Sequence, residues 1–75
     1  MNPYDRQVDG DHYQKLAIQP MQYSMLNNLD ACQHTVIKYV TRFRDKGGIK
    51  DLEKAKHCID MLIDFELAQA EKTEL

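Results

Sequence analysis

The chain carries one strong reversal signal. Between two stretches of helical apolar spacing lies Asp45-Lys46-Gly47-Gly48, and a glycine just past the last turn of a helix takes up the left-handed backbone that satisfies orphan carbonyls. Upstream, Cys32, Val36, Tyr39, Val40 and Phe43 recur at i, i+4, i+7, i+8 and i+11, one face of a helix whose other face carries His34, Lys38 and Arg42. Downstream, Leu52, Ala55, Ile59, Leu62 and Ile63 form a second apolar stripe. Asp30 is placed to cap the first of these helices and Asp51 the second, with Ile49 ahead of Asp51 to pack on its first turn. The spacing predicts helices over 31–45 and 51–70 joined by a glycine turn over 46–50. At ~1.5 Å per residue both are long enough to pack as an antiparallel hairpin.

Ahead of the hairpin, Pro20 suits the first turn of a short helix over 20–28, ending at Asn27-Asn28. Residues 1–19 are punctuated by Pro3, Gly10, Asp5, Asp9 and Asp11 and read as an extended arm, in which Leu16 and Ile18 alternate with Lys15, Ala17 and Gln19. The expected fold is therefore all-α: one small domain over 1–75, a short helix plus an antiparallel helical hairpin. A core of this size seldom gives more than ~3–5 kcal/mol of stability unaided. The two cysteines, Cys32 and Cys58, read as reduced thiols rather than a disulfide framework, so a homo-oligomer is expected.

Composition is that of a globular protein, 43% hydrophobic and 29% charged. No apolar run is long enough to span a membrane and the polar N-terminus lacks a signal-peptide h-region, so no membrane partner is expected and the location read from sequence is cytoplasmic. Charge is unevenly spread. Residues 34–50 carry Lys38, Arg42, Arg44, Lys46 and Lys50 against Asp45, a net +4, whereas 51–75 carry seven acids against three lysines, a net −4. That pattern suits a local anion site, or electrostatic pairing between subunits, better than a nucleic-acid track.

The sharpest candidate site follows from it. Lys38 and Arg42 share a helical face, Arg44 and Lys46 flank the turn, and Gly47 and Gly48 permit close backbone approach, so cations and amides together are expected to hold phosphate oxygens. Tyr39 is placed to stack on a base. His12 and Tyr13, beside Asp9 and Asp11, are read as a lid or rim. On this reading Arg42→Ala abolishes ligand binding and leaves folding intact.

Other chemistries fit less well. Cys32, His34, His57 and Cys58 are zinc-ligand types, but adjacent His57 and Cys58 point about 100° apart on a helix, so no metal is expected. Asp60 and Asp64 share a face and resemble half of a magnesium site, without the second acidic pair. A helix-turn-helix reading is disfavoured because the third helix opens with Asp51-Leu52-Glu53, and no P-loop is present.

Tyr4-Asp5-Arg6-Gln7-Val8, Gly10-Asp11-His12-Tyr13, Ile18-Gln19-Pro20, Val36-Ile37-Lys38-Tyr39-Val40-Thr41-Arg42 and Lys46-Gly47-Gly48 followed by Asp51-Leu52-Glu53-Lys54-Ala55 resemble a family of small bacteriophage proteins of unassigned function. The likeness covers about residues 4–65. It departs at Asp9-Gly10, where the family has Gly-Gly, and at Phe43, where it commonly has Trp. A similar segment occurs in a longer nucleotide kinase of T-odd phages that phosphorylates deoxynucleoside monophosphates without a P-loop and works as an oligomer. The resemblance implies a phage protein acting in the bacterial host cytoplasm. The expected function is binding of a nucleotide or cyclic nucleotide, as a non-catalytic sponge for host immune signals. The alternatives are a nucleotide kinase, which alone would need magnesium, and a protein-binding inhibitor of a host factor.

Overall fold

A computed structural model describes residues 16–73 of the chain. Most of the expected 1–19 arm, including His12 and Tyr13, lies outside these residues. Among the described residues the fold is all-helical, with three helices and no strand: α1 Pro20–Leu26, α2 Ala31–Arg42 and α3 Gly48–Thr73. None is long and apolar enough to cross a membrane. Leu16, Ala17 and Ile18 form a bend rather than an extended strand, and line a shallow recess with Pro20, Tyr23, Ile37 and Thr41.

Local chemistry sets each boundary. Pro20 occupies the first turn of α1, where its missing N–H costs nothing. The helix ends because Asn28 takes φ +56°, a left-handed conformation that asparagine tolerates. Leu29 N–H then donates to the Ser24 carbonyl at 2.9 Å and Asn28 N–H to that of Met25 at 3.3 Å, the paired bonds of a Schellman closure. Asp30 caps α2 as expected, within a full capping box: Gln33 N–H donates to its carboxylate at 2.8 Å, and Asp30 N–H donates to the Gln33 side chain at 2.9 Å.

The second boundary differs from expectation. Regular helix stops at Arg42 rather than Asp45, because Asp45 and Lys46 N–H groups both turn in to the Arg42 carbonyl, each at 2.9 Å. Gly47 at φ +87° then closes the turn, its neighbour Gly48 donating to the Phe43 carbonyl. α3 begins at Gly48, so Asp51 is not the cap but sits inside the first turn. Ile49 does not pack there; it is 67% exposed.

α2 and α3 meet in reverse order along their lengths. Cys32, near the start of α2, donates its thiol to the Cys58 carbonyl at 3.0 Å, and Arg42, at its end, pairs with Asp51. α1 is tied to α2 by the hydroxyl of buried Ser24, 2.8 Å from His34 Nδ1. Twelve residues make α2 about 18 Å long and twenty-six make α3 about 39 Å. The distal turns of α3 therefore run past α2. Ala55 and Pro20 are the apolar residues buried among the described ones, and Ile59, Met61, Ile63, Phe65 and Leu67 are exposed. The expected stripe Leu52, Ala55, Ile59, Leu62 and Ile63 is thus wider than one partner helix covers.

Candidate functional site

At the glycine turn the anion is the protein's own. Asp51 is 1% exposed, and its carboxylate lies where a Cβ on Gly47 would be. Arg42 meets it with two donors, Nε to Oδ2 at 3.0 Å and Nη2 to Oδ1 at 3.4 Å. The close approach permitted by Gly47 is therefore used internally, by the Asp51 carboxylate. Arg42 is likewise held between α2 and α3, where loss of its guanidinium would leave the Asp51 carboxylate without this ion pair. Arg44 and Lys46 are exposed, Arg44 lying over the Phe43 ring at 4.8 Å.

The cations that do converge gather at Tyr39. This half-buried ring has Lys38 Nζ 4.9 Å from its centroid, the Arg42 guanidinium at 4.9 Å and Lys54 Nζ at 5.6 Å. Its ring borders an open groove of about 510 Å³ between α2 and α3, whose other polar lining comes from Thr35, Lys50, Glu53, Lys54 and His57. An aromatic face attracts cations through its quadrupole, but the gathered charges repel one another. Asp51 neutralises Arg42; Lys38 and Lys54 make no ion pair among the described residues. Lys50 and Lys54 on the groove, with Lys38 at the same ring outside its lining, outnumber the one lining carboxylate, Glu53, so an anion meets net attraction there.

Of the expected site residues, then, Lys38 and Arg42 gather at the Tyr39 ring, but only Tyr39 lines the groove; Lys38, Arg42, Arg44, Lys46, Gly47 and Gly48 do not. Lys50, Lys54 and His57 also line the groove; in the sequence Lys50 stands out only as part of the basic segment and His57 only as a zinc-ligand type, and Lys54 is not singled out. Their i, i+4, i+7 spacing puts them on one face of α3, but only the packing shows that this face borders Tyr39. Cys32 is a half-buried free thiol. Desolvation, then Cys58 and Asp30, push its pKa up from the ordinary value. Among the described residues no three His, Cys, Asp or Glu side chains gather as a metal site; His34 instead faces Ser24.

Residues 8–60 match a family described as a protein of unknown function, DUF3310. No curated protein and no solved structure matches the chain significantly.

Proposed function

The chain belongs to the DUF3310 family of proteins of unknown function, and we propose that it is a small oligomeric nucleotide-binding protein, built on an antiparallel α2–α3 hairpin, whose Tyr39 groove holds a phosphate-bearing ligand. The observation that carries this reading is the convergence of Lys38 and Lys54 on one aromatic ring without a carboxylate partner among the described residues. In this arrangement Lys54 and His57 on the groove and Lys38 beside it contact phosphate oxygens while the Tyr39 ring forms an apolar wall for the rest of the ligand. Capture needs no chemistry, which suits sequestration of a nucleotide or cyclic nucleotide signal by a phage-encoded protein in its host.

The test is to mix the purified protein with deoxynucleoside monophosphates and cyclic di- and trinucleotides in the presence of ATP and magnesium, filter, and chromatograph the filtrate before and after heat denaturation. Sequestration predicts that one species vanishes from the filtrate and returns unchanged on heating. A new di- or triphosphate would make the protein a kinase, and an unaltered profile would remove the nucleotide reading.

A further inference from the structure

α3 carries two seams, offset by one residue. The inward seam, Asp51, Ala55, Cys58 and Leu62, is buried or half-buried against α2. One position further along each time run Leu52, Lys56, Ile59, Ile63, Glu66 and Ala70. These alternate in steps of four and three, the heptad spacing of a helix that packs along a second helix. A one-residue offset turns this seam about 100° away from α2, and past half-buried Leu52 its side chains from Lys56 to Glu66 are exposed, Ile59 at 43% and Ile63 at 52%. Ile59, Leu62, Ile63, Glu66 and Leu67 line a shallow groove there.

The seam's polar members identify its occupant. Lys56 and Glu66 lie five residues either side of position 61, as Ile59 and Ile63 lie two either side and Leu52 and Ala70 nine. When two antiparallel copies of α3 cross at position 61, Ile59 of each meets Ile63 of the other. Lys56 likewise meets Glu66, and Leu52 meets Ala70. A two-fold interface requires this reciprocity, residue i on j and j on i, and a parallel pairing would instead set Lys56 against Lys56. We propose that α3 pairs antiparallel with α3 of a second copy through this seam, fixed in register by two reciprocal Lys56–Glu66 contacts. The acids Asp60, Asp64 and Glu71 lie on the face of α3 turned away from α2 and stay in water beside the seam. Lys50, Lys54 and His57 point away from the seam by the same geometry, so pairing leaves the Tyr39 groove open. The inference deepens the oligomeric part of the proposed function and is independent of the ligand.

Charge exchange tests it. Lys56→Glu and Glu66→Lys are both exposed substitutions in the single chain, and circular dichroism checks that each variant stays helical. Sedimentation equilibrium is expected to show self-association weakened about tenfold or more in each single variant, where like charges now oppose. An equimolar mixture of the two variants regains it, because one chain then carries acids at both positions 56 and 66 and its partner carries lysines at both. Association that no substitution alters, or that the mixture fails to regain, overturns the seam while leaving an oligomer standing; a wild-type chain that sediments as a monomer overturns both.

Discussion

Arg42 and Asp51, nine residues apart, close the α2–α3 turn through two donor–acceptor contacts around a carboxylate that is almost wholly out of water. This pair, rather than a hydrophobic core, joins the end of one helix to the start of the next. Removing the guanidinium leaves a buried, uncompensated charge, which costs about 3–5 kcal/mol. Arg42→Ala is therefore expected to unfold much of the population by urea titration, and Arg42→Ala/Asp51→Ala to recover part of the loss. Equal stability of the two variants would show that the pair is not held as described.

Gly47 and Gly48 both have positive φ, but only Gly47 has the Asp51 carboxylate where a Cβ would go. Gly48→Ala is expected to cost about 1–2 kcal/mol, from left-handed backbone alone. Gly47→Ala should cost clearly more, since it also displaces the carboxylate from Arg42. Thermal denaturation of the two variants side by side gives the comparison.

Ser24 is buried with its hydroxyl on His34. Ser24→Ala leaves the imidazole nitrogen without its partner and is expected to lower stability by about 1–3 kcal/mol. Hydrogen exchange should show the loss concentrated in α1, because this bond joins α1 to α2.

The raised pKa of Cys32 gives a pH dependence with a definite sign. A thiol whose folded pKa lies above its unfolded value binds its proton more tightly in the native state. Its contribution is therefore fully present below the unfolded pKa, ordinarily 9.0, and is lost as pH rises through the folded one. Melting temperature is expected to stay level through neutral pH and to fall above about pH 9. Cys32→Ala should flatten that alkaline fall, and the same slope in both proteins would remove the thiol as its cause.

How far the sequence is legible depends on whether the signal is local. Asp30 followed by Gln33, Pro20 and Gly47 each declare a boundary through backbone chemistry within a few residues, and each acts as expected. Asp51 reads as a cap because it opens a polar–apolar pattern, but its role depends on Arg42 reaching it across the turn. Lys54 is hidden for a related reason. Periodicity assigns residues to faces of one helix and leaves open which face of α3 borders Tyr39. Ile59 and Ile63 read as core because apolar spacing alone cannot distinguish a seam filled by α2 from one left open beside it.

Whether the lysines at Tyr39 hold a phosphate-bearing ligand is decided by equilibrium dialysis of the wild-type protein and of Lys38→Ala/Lys54→Ala against the same nucleotide panel. Both lysines lie outside the Arg42–Asp51 pair, so their loss leaves the turn intact. The wild type is expected to retain one nucleotide, and the double variant, equally helical, to bind it at least about a hundredfold more weakly, the effect of removing two charge-assisted contacts. Retention of the same nucleotide with undiminished affinity by the double variant would contradict the assignment of the groove.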